Sequence, residues 1–220
     1  ARMASYELAA RLQLSAPEAV AIDGETAATR SLYALGDDDI GPFGRQCLLA
    51  RRLVERGVRF VQIFCGAENT SALKIRPNWD SHEDIVRDHG YWGRVLDRGA
   101  SALLADLKSR ALLDSTLVIC ATEFGRQPFL QGGNKGRDHN PGAFTAWMAG
   151  GGIKGGIELG ATDDFSYNIV ERPVHLNDLN ATLLHCLGID HDRFTFKFQG
   201  LDQKLTGVEG AKIVRKELGH

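Results

Sequence analysis

The stretch that most constrains this chain is a continuous apolar run, Thr116-Leu117-Val118-Ile119-Cys120-Ala121, entered through a turn at Asp114-Ser115. Such a run suits a parallel strand covered by helices on both faces. The segment after it, 122–142, is long, polar and glycine-containing. In open α/β sheets ligands bind beyond the carboxyl ends of the strands. A loop of this kind is therefore the first place to look for chemistry.

The rest of the chain reads as helices alternating with apolar runs. Residues 3–14 are helical in pattern, ended by Ser15-Ala16-Pro17, and 18–41 form a polar surface segment carrying Asp37-Asp38-Asp39. A helix over 43–56 places Leu49, Ala50, Leu53 and Val54 on one face and stops at Gly57. A strand comes next over 58–64, then an irregular stretch over 66–82. The recurrence of Leu96, Ala100, Leu103 and Leu107 predicts a long helix over 84–110. A third apolar run at 144–149 ends in Gly150-Gly151-Gly152, and a helix over 176–187, with Leu179, Leu183 and Cys186, stops at Gly188. With no repeat and no dividing linker, the expectation is a single domain over 1–220 of α/β class.

Composition removes several functions. A net charge of −2, from 26 basic and 28 acidic residues, gives no general attraction to nucleic acid. No window is apolar enough for a membrane span. The four cysteines form no C-x-x-C pair and read as buried free thiols. Gly150 to Gly156 is not a phosphate loop, because Lys154 is followed by Gly155 rather than Ser or Thr. A glycine turn is the better reading there. The sequons at Asn69 and Asn180 are at chance level, the second within a predicted helix.

The chemistry-bearing residues sit in loops after predicted strands. Asp80-Ser81-His82 comes after the first; Glu123 comes after the second, in Thr122-Glu123-Phe124-Gly125-Arg126; Asp138-His139 lies further along, in Gly136-Arg137-Asp138-His139-Asn140-Pro141. Imidazole and carboxylate donors from separate strand ends suit a borderline or hard divalent ion: Zn²⁺, Mn²⁺, Fe²⁺, Mg²⁺ or Ca²⁺. Arg126, Lys135 and Arg137 suit an anionic group on a substrate, arginine offering a bidentate fork. His89, early in the long helix, is within reach of the 80–82 loop. His175 and His185 read as surface or core residues.

Those motifs, with Cys47-Leu48-Leu49-Ala50-Arg51-Arg52-Leu53-Val54-Glu55-Arg56-Gly57 before them and Met148-Ala149-Gly150-Gly151-Gly152-Ile153-Lys154-Gly155-Gly156 after, resemble a bacterial family labelled domain of unknown function 1501. The family in turn looks like a branch of the alkaline phosphatase and sulfatase superfamily. The segment Asn177-Asp178-Leu179-Asn180-Ala181-Thr182-Leu183-Leu184 is similar to the sulfatase helix with the pattern D-L-x-P-T-L-L. The resemblance implies a three-layer sandwich, a mostly parallel sheet with helices on both faces, lacking its N-terminal part. It implies metal ligation by Asp80, His82, Glu123 and His139, with Asp138 beside them. It also implies a metal-dependent hydrolase of sulfate or phosphate esters, with an anionic small molecule or glycan ester as substrate, and an exported or periplasmic location. Arg126 and Arg137 are the expected catalytic anion-binding residues. Phe124 stands where sulfatases carry a further ligand. The C/S-x-P-x-R motif that supplies the sulfatase nucleophile is not in the sequence. The alternative is therefore a non-catalytic anion-, glycan- or partner-binding module on a degenerate fold of this kind.

Overall fold

A computed structural model of the chain describes residues 17–66 and 75–214. The helix expected at 3–14 lies outside the described residues. The chain divides into two compact units, Ala1–Leu112 and Leu113–His220.

The first unit is helical: α1 (Ala27–Leu32), α2 (Gly41–Glu55) and α3 (Ile85–Ser109). Thr26 caps α1 by accepting from the Thr29 amide at 3.1 Å, and Asp84 caps α3 by accepting from Arg87 N at 3.1 Å. Gly57, at φ +86°, ends α2 as expected, with Val58 N donating back to Leu53 O. The helices pack through Phe43, Cys47 and Leu48 on α2 and Trp92, Val95, Ala102, Leu103 and Leu107 on α3, all buried. Their closest approach is at Gly99, where a Cβ would sit 2.5 Å from Phe43 Cδ1 and 3.2 Å from Cys47 Sγ. The buried face of α2 is thus rotated from the one its aliphatic residues suggest. Leu49, Leu53 and Val54 are half-buried, and Arg51 points inward.

That arginine organises the unit. Arg51 is 2% exposed and donates to Asp106 (2.8 Å), Glu25 (2.9 Å) and Glu55 (2.9 Å). Asp106 also accepts from the Tyr33 hydroxyl at 2.9 Å and from Arg110 Nε at 2.7 Å, while Arg52 pairs with Glu25. The polar segment 18–41 is consequently not a plain surface stretch: Ile22 and Tyr33 are buried and Glu25 is drawn into the cluster. Burial alone raises the Asp106 carboxyl, but donation from Arg110 and Tyr33 and the Arg51 charge outweigh it and hold the group below its usual range. Glu25 is likewise held low, by Arg52 and Arg51 acting against burial.

Among its described residues the second unit contains a 3₁₀ turn (Leu113–Ser115), eight short strands and one helix. The strands are β1 (Leu117–Cys120), β2 (Gly125–Arg126), β3 (His139–Asn140), β4 (Trp147–Gly150), β5 (Ala161–Thr162), β6 (Ile169–Glu171), β7 (Thr195–Phe198) and β8 (Leu201–Lys204), and the helix is α4 (Leu176–Cys186). They form four separate antiparallel pairs: β1 with β4, β2 with β3, β5 with β6, and β7 with β8. This corrects the expected three-layer sandwich with a mostly parallel sheet. Parallel pairing needs a crossover, usually a helix, to bring the chain back in the same direction. Between β1 and β4 there is no helix, so the chain returns reversed, with Leu117 opposite Gly150 and Cys120 opposite Trp147. β1 is accordingly half-buried along its length rather than covered on both faces. The other expected strand, 58–64, is not formed: the segment joins no sheet among the described residues, with Phe60 and Phe64 exposed.

Helix α4 runs as expected to Gly188 (φ +73°). His175 is its N-cap, accepting from Asn177 N at 3.1 Å, while Asp178 accepts from His175 N at 3.1 Å. Lys212 N donates to Asp178 and Val214 N to buried Thr182, so the 211–214 segment is pinned to α4. Gly150, Gly151 and Gly152 all lie at positive φ, the glycine turn expected. Of the cysteines, Cys47 is buried, with its thiol pushed up to about 12 by burial, but Cys186 is exposed, against expectation.

The depressed Asp106 and Glu25 carboxyls predict acid sensitivity of a defined sign. Groups lowered in the folded state stabilise it fully above their unfolded values, near pH 4, and that stability is lost as pH falls through the folded values. Urea unfolding is expected to be flat from pH 7 to 5 and to weaken steeply below about pH 4. Asp106→Asn is expected to cost about 3 kcal/mol at neutral pH, since it removes the buried charge that meets Arg51 Nε and Arg110 Nε, and to flatten the acid slope. An unchanged slope in that variant counts against the network.

Candidate functional site

The predicted site residues fall in two loops, one in each unit. In the first, 75–84, the backbone is bound to the start of α3. Ser81 and Asp88 are fully buried, and Ser81 Oγ donates to Asp88 Oδ2 at 2.6 Å. Asp88 also accepts from Arg87 Nε at 2.7 Å; burial works to raise its carboxyl, but Arg87 and Ser81 together hold it low. Trp92 Nε1 donates to Arg76 O at 2.8 Å, and Arg76 Nε to Asp80 O at 3.1 Å. His89 does reach this loop: its Nε2 lies 2.8 Å from Trp79 O and its ring meets Trp79 edge-on, which makes it a loop fastener. Asp80 N donates to Asn78 Oδ1 at 3.0 Å, closing an Asx turn.

On that frame Asp80 and His82 stand as a pair, His82 Nε2 2.9 Å from Asp80 Oδ1, both half-buried. A carboxylate only accepts, so with Asp80 ionised the Nε2 carries the proton between them. The pair offers one oxygen and one nitrogen donor from neighbouring positions of one loop.

The second loop, 122–142, is folded back on itself by β2 and β3, with Gly125 opposite Asn140 and Arg126 opposite His139. A side chain at Gly125 would place its Cβ 2.1 Å from Ala143 O, so only glycine allows this closure. Gln127 N donates to Asp138 O at 2.9 Å and Gln127 Nε2 to His139 O at 3.2 Å. Asp138 Oδ1 accepts from His139 N at 2.8 Å, and Asn140 Nδ2 donates to Tyr167 O at 2.9 Å. His139 is therefore fixed along its backbone. Its ring is stacked on Phe124, centroids 3.9 Å apart and planes 24° apart.

The remaining predicted residues take different places in this loop. Glu123 is exposed, its carboxylate accepting from Thr122 Oγ1 at 3.0 Å, and Asp138 is exposed as the His139 cap. Arg126 lies over Phe124, 5.8 Å from the ring centre, and donates to Arg137 O at 3.0 Å. Arg137 Nε is buried and has no hydrogen-bond partner among the described residues. An unmet buried donor costs about 1–3 kcal/mol, which an anionic ligand would offset. Asp80, His82 and His139 are each half-buried, and carboxylate oxygen and imidazole nitrogen are donor types that suit a borderline divalent ion.

Sequence reasoning missed Ser81 and Asp88 as the anchor of the first loop and Phe124 as the ring against His139. Nothing in a Ser and an Asp seven positions apart signals that both are buried.

The chain carries carboxylate and imidazole donors on two restrained loops, one in each unit, and an unmet buried donor on Arg137 in the second. It belongs to the family described as Protein of unknown function (DUF1501), whose model matches residues 1–217. No curated protein and no solved structure matches the chain.

The first loop depends on the Ser81–Asp88 bond. Ser81→Ala is expected to lower stability by about 1–3 kcal/mol, because Asp88 stays buried with one fewer donor. It should also speed amide hydrogen exchange at 79–82 while leaving α4 unaffected. Unchanged exchange in that loop would show that the bond does not hold it.

Proposed function

We propose that this protein binds a divalent cation through Asp80 and His82, and an anionic ester through Arg126 and Arg137, and that it hydrolyses phosphate or sulfate esters. The observation that carries this reading is the Asp80–His82 pair. Asp-x-His in a loop is ordinarily a solvated turn, but here the two side chains are half-buried, 2.9 Å apart, on a backbone tied to α3. The buried Arg137 Nε supports the anionic partner, since a phosphate or sulfate oxygen is the strong acceptor that it lacks. The resemblance of 177–184 to the sulfatase helix supports the ester class. His139, Glu123 and Asp138 offer imidazole and carboxylate groups within the second unit's own loop.

A divalent ion supplies Lewis acidity toward an ester oxygen and toward water. The chain's own part is to present the donors in a fixed arrangement and to receive the anion. Arg126 is braced by its bond to Arg137 O, so its guanidinium is pre-oriented and loses little freedom when an anion binds.

Metal analysis of protein reconstituted with Zn²⁺ or Mn²⁺ and then dialysed tests the first half. About one ion per chain is expected in the wild type, with loss in Asp80→Ala/His82→Ala. Hydrolysis of an aryl phosphate or aryl sulfate, abolished by chelator and reduced roughly 100-fold or more by Arg137→Ala, tests the second. A wild type that retains no ion after reconstitution overturns the reading, and a loaded protein inert toward both esters overturns the hydrolase assignment.

A further inference from the structure

Two hairpins of the second unit bring a pair of aromatic rings together in the open. Phe129 lies on the 125–140 ribbon and Tyr167 in the turn between β5 and β6; their ring centroids are 6.2 Å apart, with planes at 34°. Phe129 is 60% exposed and Tyr167 40%, and Phe165, two residues from Tyr167, is 76% exposed. Aromatic rings stabilise a fold by being buried, so packing does not account for a pair left in water.

Both rings are carried on restrained backbone. Tyr167 N donates to Asp163 Oδ1 at 2.8 Å, and Tyr167 O accepts from Nδ2 of buried Asn140 at 2.9 Å. Ser166 before it sits at φ +58°, a conformation uncommon outside glycine. Phe129 follows Pro128, within a ribbon closed by Gln127 N to Asp138 O and Gln131 N to Gly136 O, both 2.9 Å. Arg137 lies on the opposite arm between the same two bonds, and its Nε is the buried donor with no hydrogen-bond partner among the described residues. Paired arms of backbone run about 5 Å apart, a gap that one monosaccharide unit spans. One ligand can therefore meet a guanidinium and the aromatic pair together.

The surroundings select among ligands. A guest that is apolar on every side gains most from an enclosed slot, and this platform is open. A sugar ring instead presents a C–H face, attracted by the negative face of an aromatic ring, while its hydroxyls stay hydrated at the edge. The edge here is polar, with Asn134, Lys135 and Asn168 exposed. Asp138 and Asp164, exposed carboxylates on the same two hairpins, disfavour a polyanion such as nucleic acid.

We infer that Phe129 and Tyr167 form a stacking platform for the sugar ring of a saccharide sulfate or phosphate whose anionic group lies at Arg137. The inference rests on the proposed anion-binding role of Arg137, lies wholly within the second unit and needs no metal.

Calorimetric titration of the metal-free protein tests it, with inorganic sulfate and phosphate, glucose 6-sulfate and glucose 6-phosphate, and 4-nitrophenyl sulfate and phosphate. In at least one series the sugar ester is expected to bind about tenfold tighter than its inorganic anion. Phe129→Ala and Tyr167→Ala should each remove most of that gain and leave binding of the inorganic anion unchanged, whereas Phe129→Trp should keep the gain. Saturation-transfer NMR should show the strongest transfer at the C–H protons of one face of the glucose ring. A sugar ester bound no tighter than its anion, or a gain intact in both alanine variants, overturns the inference while the anion reading stands. A nitrophenyl ester that gains as much as the sugar ester overturns the sugar assignment. Binding of none of these probes overturns the anion reading, and this inference with it.

Discussion

The ion pair between Arg51 and Asp106 is the interaction on which the first unit depends. A buried arginine is tolerable only if its donors are met, and here they are met by Asp106, Glu25 and Glu55 together. Because the partners come from the 18–41 segment, α2 and α3, the pair fixes the registry of all three. A second buried aspartate, Asp88, lies eighteen residues earlier on α3. At 3.6 residues per turn that is about five full turns, so both carboxylates fall on one face of the helix. One end of the face fastens the helices. The other, through Ser81, fastens the loop that carries Asp80 and His82.

The second unit is built differently. Its buried apolar residues are few, among them Ala143, Ala181 and Leu184, and its strands are short isolated pairs. Order in the His139 loop comes instead from directed contacts: the forced glycine at Gly125, the two bonds from Gln127, the Asp138 cap and the Phe124 ring. Directed contacts fix individual atoms more sharply than apolar packing does.

How much of the structure is legible in the sequence depends on the range of each interaction. Helices α2, α3 and α4 are legible within a residue or two at most ends, because a 3.6-residue period and a stop glycine are local signals. Strand direction is not. The run at 116–121 identifies a strand, but whether it pairs parallel or antiparallel depends on how the chain returns, and 122–146 returns without a helix. The inward face of α2 is misjudged because Arg51 looks like a surface residue until its three partners are known. In the site, residue types mark Asp80, His82, His139, Arg126 and Arg137 as chemistry-bearing groups on two loops. Their restraints, Ser81 on Asp88 and Phe124 on His139, are invisible without coordinates because none has a distinguishing spacing.

The donors around a bound ion can be read directly by X-ray absorption at the zinc edge of the Zn²⁺-reconstituted protein. Ligation by His82 beside Asp80 predicts an imidazole nitrogen at about 2.0–2.1 Å, with oxygen completing the shell. That nitrogen should be missing from the spectrum of His82→Ala. A shell of oxygens alone, or a wild-type spectrum unchanged in that variant, would contradict a site built from these residues.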